Sequence, residues 1–283
     1  MLRTLVLASG IGVALLAGCS LFTDLGGLQA GQDGGSNSDA SIGSDAAVDA
    51  RGTDSGGEVD SGTDASSCGC TNVVSAYRFS DPANLGTDFF GRNNMTTTVG
   101  APKQSPTTPN GLPGHSIALD GSSSVCIASG FTFNSTADHT LCWWSQPAAL
   151  ANSTNQFAQA CGYDTWTTNS GADYLWRINN CNDGGTADFQ VPNVYSVGTW
   201  LQICQTYSAA SMTRTVMLNG DPAKKYTVTD TVPIVEDPSA NWCIGSYGSG
   251  GYWTGLMYLP MWFDRVLSGA EMQQVNANGC CLP

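Results

Sequence analysis

The chain has 283 residues, 41% of them hydrophobic and 12% charged, with a formal net charge of −13. That length accommodates one or two domains, and the acidic balance argues against nucleic acid as a partner, because a phosphate backbone needs concentrated lysine and arginine. The charge is uneven: residues 20–67 carry −8 and residues 68–283 carry −6, with Arg3 completing the total.

In chain order, Met1-Leu-Arg3 is a short basic start, followed by an apolar run from Thr4 to Leu15 that is too short to span a bilayer. Leu16-Ala-Gly-Cys19 then resembles a bacterial lipobox. The resemblance implies a signal peptide over residues 1–18, acylation of Cys19 as the first mature residue, and attachment to the lipid bilayer through that group. Ser20, where inner-membrane lipoproteins of the enteric type carry Asp, implies the outer membrane of a bacterial cell envelope. Residues 19–67 repeat Asp, Gly, Ser and Ala with almost no apolar surface, the composition of a disordered acidic tether.

Residues 68–283 read as one domain. Val73 to Phe79 alternates as a strand, and Asp88-Phe-Phe-Gly-Arg-Asn-Asn94 follows as a turn. Pro102 to Pro113 carries four prolines and is expected to be a surface loop. Ser124 to Ala128 and Thr140-Leu-Cys-Trp-Trp-Ser-Gln-Pro147 are further strands, with Trp144 a core residue. Gln156 to Ala160 and Tyr174 to Ile178 are strands flanking a polar loop that opens Cys161-Gly-Tyr-Asp-Thr-Trp166. In Thr199 to Ser208, Trp200, Gln202, Cys204 and Thr206 fall on one face and Leu201, Ile203, Gln205 and Tyr207 on the other. Thr215 to Gly220 is expected to pair with it, and Asn241 to Ser246 is another strand. Gly255 to Phe263 is a long apolar strand interrupted by Pro260; Ser268 and Glu271 then form a capping box that starts a short helix with Met272 and Val275 on one side. Many short strands with turn signals and one clear helix predict an all-β sandwich.

Several of these segments resemble, in order, the motifs of laminin-G-like jellyroll domains of the concanavalin A-like lectin/glucanase superfamily. The closing segment matches at Gly255, Arg265, Leu267, Ser268 and Glu271, departs at Tyr258 and Pro260, and is supported by Gly114 to Gly121, Thr140 to Pro147 and Trp200 to Tyr207. The resemblance covers residues 73–277 and implies a two-sheet antiparallel jellyroll with a C-terminal helix. It also makes Asp88 and Asn94 candidate calcium ligands; the alternative is an Asx-type turn.

Apart from Cys19 the chain has ten cysteines: Cys68, Cys70, Cys126, Cys142, Cys161, Cys181, Cys204, Cys243, Cys280 and Cys281. An even set in an exported chain is expected to form disulfides. In the family the first and last strands lie close together, so the resemblance implies that one or two bridges join Cys68 and Cys70 to Cys280 and Cys281. Cys142 with Cys204 and Cys161 with Cys181 are further candidate pairs.

Catalytic signals are sparse. Three glutamates, Glu58, Glu236 and Glu271, fall in tether, loop and capping box, and no Asp/Glu pair stands two apart on an expected strand, as a retaining glycosidase of this fold needs. No G-x-S-x-G motif accompanies His115 or His139. The expected role is therefore binding without catalysis. Tyr163, Trp166, Tyr247, Tyr252 and Trp253, on or beside loops, are the candidate residues for a glycan or protein ligand; the alternative is that these rings fill the base of the loops. The alternatives are a polysaccharide hydrolase with an atypical acidic pair and a structural or adhesion protein of the envelope.

Overall fold

The structure, a computed structural model, describes residues 72–127, 130–131, 134–159, 163–168, 171–180, 184–235, 241–247 and 250–279. All of them lie in the second of two units into which the chain divides, Val59–Pro283. The lipobox with Cys19, the acidic linker, and Cys68, Cys70, Cys161, Cys181, Cys280 and Cys281 lie outside the described residues. Among the described residues no helix is long and apolar enough to cross a membrane.

The strands are β1 (Val73–Ala76), β2 (Thr97–Val99), β3 (Lys103–Ser105), β4 (Ser116–Asp120), β5 (Ser124–Ile127), β6 (His139–Pro147), β7 (Asn155–Gln159), β8 (Tyr163–Thr168), β9 (Asp173–Asn179), β10 (Thr186–Val191), β11 (Leu201–Ser208), β12 (Thr213–Leu218), β13 (Lys225–Thr229), β14 (Trp242–Ile244) and β15 (Thr254–Phe263); helix α1 (Gly269–Asn278) follows. One sheet runs β13-β12-β11-β6-β15-β4-β3, with β1 also on β15; the other runs β10-β9-β8-β7-β14-β5-β2. Every ladder between these strands is antiparallel. This is the all-β sandwich that the strand and turn pattern predicts, with the two antiparallel sheets that the jellyroll resemblance implies.

The alternation in β11 holds as read. Ile203 and Tyr207 enter the core between the sheets with Trp143, Phe157, Trp176, Trp242 and Trp262, while Cys204 turns to the opposite face. There it joins Cys142, Trp144, Met217 and Met261 in a second cluster, closed by Met272 and Val275 of α1. Ser268 accepts from the Glu271 N–H at 3.3 Å and its own N–H donates to Glu271 Oε2 at 2.7 Å, so the capping box forms. Pro260 does not end β15: the ladder to β6 shifts register between Tyr258 and Met261, with Leu259 at φ 45°, and the strand resumes. A bulge absorbs the proline because its missing N–H drops out of the ladder.

Two segments differ from expectation. Pro102 to Pro113, read as loop, contains edge strand β3. Tyr163 to Trp166, also read as loop, belongs to β8, paired on both sides by β7 and β9. Its aromatic and β-branched residues suit a pleated surface, and pairing outweighs the polar composition.

Of the expected disulfides, Cys142–Cys204 is present, and Cys126–Cys243 forms as well. Each joins directly opposed residues of neighbouring strands, β6 with β11 and β5 with β14, so among the described residues each sheet carries one staple.

Candidate functional site: a rim of four tied loops

Connections after β6, β8, β10 and β14 meet at one end of the sandwich; their described residues are 148–154, 171–172, 192–200, and 245–247 with 250–253. Backbone hydrogen bonds fasten them to one another and to the adjoining strand ends. Ser153 N–H donates to Thr167 O at 2.8 Å, Tyr195 N–H to Ala172 O at 3.0 Å, Gly198 N–H to Pro147 O at 2.9 Å, and Asn155 N–H to Gly251 O at 2.6 Å. The Gly171 N–H donates to Asn152 Oδ1 at 3.2 Å. Only glycine fits at 171: φ is +83°, and a Cβ there would lie 2.3 Å from Ala151 N. These bonds hold the described part of the rim in place, and a surface already ordered lowers the ordering cost of binding.

Large apolar side chains are exposed on this rim: Leu150 at 38%, Val197 at 56% and Tyr247 at 42%. Tyr247 and Gly250 exchange backbone hydrogen bonds of 2.8 and 3.1 Å. Tyr252 is half-buried and bridges Asn155, whose backbone in turn faces Trp166. Through Asn155 the fold therefore brings the backbones of Trp166 and Tyr252 to one level of the sheet. Tyr163 sits at the far end of β8, opposite Gln159 and Ile178. The side chains of Tyr163 and Trp166 lie outside the described residues.

Trp253 corrects the sequence reading. Its side chain is 1% exposed, its ring packs 5.8 Å from that of Tyr195, and it belongs to the inter-sheet core. An indole buries more apolar area than any other side chain, and here it becomes the floor under the rim instead of a face toward ligand. Leu150, Val197 and Asn155 are the rim residues that the aromatic search passed over. The available signal was different: the four connecting segments contain no charged residue.

The calcium reading fares no better. Asp88 is 1% exposed, and its carboxylate accepts the N–H groups of Ala76 at 2.9 Å, Arg92 at 3.0 Å and Asn93 at 3.1 Å. Asn94 Oδ1 accepts the Asp88 N–H at 2.9 Å. These oxygens hold an Asx-type turn, and among the described residues no three His, Cys, Asp or Glu side chains gather as a metal centre would require. The two residues do not fit the proposed calcium site. Beside the turn lies a cavity of about 330 Å³, where Arg78 stacks 3.3 Å over the Phe89 ring and Tyr258 contributes a wall.

The other buried carboxylates among the described residues are also engaged. Asp173 accepts from Gln190 Nε2 at 2.6 Å and from the Asn193 N–H at 2.8 Å, which anchors the 192–200 loop. Asp230 takes both a 2.7 Å and a 2.5 Å bond from the buried Arg214 guanidinium at the opposite end of the sandwich.

A family model described as the concanavalin A-like lectin/glucanases superfamily, of the laminin-G type, matches residues 119–273. The chain belongs to this superfamily. Among solved structures, this concanavalin A-like domain is similar to domain 4 of AbnA, a GH43 extracellular arabinanase from Geobacillus stearothermophilus, in complex with arabinotriose: TM-score 0.56, 15% identity, 72% of this chain and 98% of that one. It is also similar to the binding domain of botulinum neurotoxin DC in complex with SialylT (TM-score 0.54, 11% identity, 73% and 51% of the two chains). The same toxin domain in complex with rat synaptotagmin II gives 0.54, 10%, 72% and 51%. The match spans about half of each toxin chain. At these identities the likeness is one of fold. Comparison with curated proteins found no match.

Proposed function

We propose that the protein is a non-catalytic recognition module that binds a glycan or a protein partner through the four-loop rim. The observation that carries this reading is the rim itself, with its loops hydrogen-bonded to one another and Leu150, Val197 and Tyr247 exposed on it. Exposed apolar groups rimmed by hydroxyl and amide side chains are the usual make-up of a recognition surface. The structural neighbours support it: one is in complex with arabinotriose, one with SialylT and one with synaptotagmin II.

The module is further proposed to stand outside the cytoplasm, held to the outer membrane of a bacterial cell by acylated Cys19, with residues 19–67 as a flexible leash. The Leu16-Ala-Gly-Cys19 motif supports the anchor. The two disulfides suit an oxidising compartment. Two acyl chains give the lasting attachment that a single chain does not.

Two measurements test this. Cys19→Ala should move the protein from the membrane fraction to the soluble one, and persistence in the membrane refutes the anchor. A screen of oligosaccharides and envelope proteins against the full chain should yield a ligand whose binding falls in Tyr247→Ala; a ligand insensitive to every rim substitution removes the rim from the proposal.

A further inference from the structure

We propose that the protein carries a binding site outside the rim, in the cavity beside the Asp88 turn, that takes a small organic carboxylate with a flat apolar body. The cavity has a volume of about 330 Å³ and is bounded by Arg78, Phe89, Pro113, Gly114, Tyr258 and Leu259, none of them a rim residue. Small-molecule sites run from about 300 to 1,000 Å³. The volume therefore admits one compact molecule.

Backbone bonds build the site. Tyr77 N–H donates to Pro260 O at 3.1 Å, beside the bulge of β15, and Phe89 N–H donates to Ala76 O at 2.8 Å. The second bond folds the segment after β1 back on itself, so that Phe89 comes to lie against Arg78. The Arg78 guanidinium stacks 3.3 Å from the centre of the Phe89 ring. Asp88 secures the fold-back, because its carboxylate accepts the N–H groups of Ala76, Arg92 and Asn93. Tyr258 and Leu259, both buried, form the floor. The Tyr258 hydroxyl donates to Pro113 O at 2.7 Å and so ties the far wall to β15. The reachable walls are half-buried Arg78, exposed Phe89, and exposed Pro113 and Gly114.

The lining pairs one cation with an apolar surface. Its acid, Asp88, is 1% exposed and is spent on backbone donors. The charge of Arg78 is felt across the cavity: burial raises the Tyr258 hydroxyl, and the guanidinium works against that rise. Stacking engages the face of a guanidinium, whereas a carboxylate pairs with its edge through two parallel N–H···O bonds. A guanidinium is also weakly hydrated, so bringing an anion to it costs less desolvation than at an ammonium. The body of the ligand would lie against Phe89 and Pro113, where a flat ring loses the most water. A cation is repelled by Arg78, and an uncharged ring of the same shape lacks the pair.

The test is a ligand-observed NMR titration of the full chain with benzoate and indole-3-acetate, and with their uncharged counterparts benzamide and indole-3-acetamide, in EDTA at low and high salt. Both acids should bind, more weakly at high salt because the pair is screened. The amides should bind at least about tenfold more weakly, as should the acids to Arg78→Gln, the scale of a hydrogen bond to a charged group. Phe89→Ala should weaken the acids by about threefold or more. Arg92→Gln, whose guanidinium lies 5.8 Å from the Phe90 ring and outside the lining, should leave them unchanged. Amides that bind as tightly as the acids overturn the inference, and so does an equal loss in Arg92→Gln and Arg78→Gln. Acid binding that appears only when calcium replaces EDTA assigns the anion to a metal ion and overturns it as well. The comparison of acid with amide uses the native chain, so it decides even where Arg78→Gln does not fold. Binding of no probe refutes the site and leaves the reading of the rim standing.

Discussion

Trp253 and Tyr247 stand six positions apart in one loop and have opposite roles. The first is 1% exposed against Tyr195, the second 42% exposed. Truncating a buried indole removes its transfer energy and leaves a cavity, so Trp253→Ala should cost about 3–5 kcal/mol. Tyr247→Ala should leave the unfolding midpoint nearly unchanged. Urea melts of the two variants check this directly. Equal midpoints would mean that Trp253 is not the floor of the rim. Nothing in the local sequence separates these residues, because the partner that buries Trp253 comes from a different loop. Asp88 gives the same lesson. A carboxylate in a turn can bind a cation or cap backbone donors, and the three N–H groups converging on it decide for the second.

Among the elements, α1 was the most legible. A capping box needs two residues at fixed spacing, and Ser268 with Glu271 supplies it without help from the rest of the chain. The Arg265 guanidinium, 2.6 Å from Glu271, together with the Ser268 donors, holds the Glu271 carboxyl down at about 2. A depressed carboxyl stabilises the fold above its ordinary value of 4.5 and loses that contribution as pH falls toward 2. Ser268→Ala should cost about 1 kcal/mol in urea unfolding with an unchanged slope, the usual value of a cap. A neutral result would show that burial of Met272 and Val275 alone holds the helix. β8 was the least legible element. Its polar residues read as loop, and it becomes a strand because β7 and β9 pair both of its edges.

At the scale of the whole molecule, the two ends of the sandwich are built differently. One carries the charge-free rim. The other packs a polar group of Arg214, Asp230 and His139 between the sheets. Arg214 is 0% exposed, donates to Asp230 and to Trp176 O, and lies 5.2 Å over the Trp176 ring. Burial pushes His139 down to about 4, against smaller opposing effects of the Ala137 carbonyl and Asp138. The neutral ring is therefore part of the folded state. Its depressed value contributes stability above pH 6.5 that is lost as pH falls to 4, by roughly 3 kcal/mol at most, with no further loss from this group below. Melting temperatures from pH 7 to 4 should fall in the native chain, and the fall should flatten in His139→Gln. An unchanged slope in the variant would move the acid sensitivity elsewhere.

The sandwich class, the closing helix, the faces of β11 and the Cys142–Cys204 pair were readable from the chain alone. They depend on period-two alternation, on capping spacing, or on a family pattern whose spacing survives substitution. The Cys126–Cys243 pair, the core position of Trp253, the strand character of Tyr163 to Trp166 and the existence of the rim required the folded molecule. Each is a relation between segments far apart in sequence. Local pattern states which residues prefer burial or pairing, but only the packing of two sheets decides which of them find a partner and which remain at the surface.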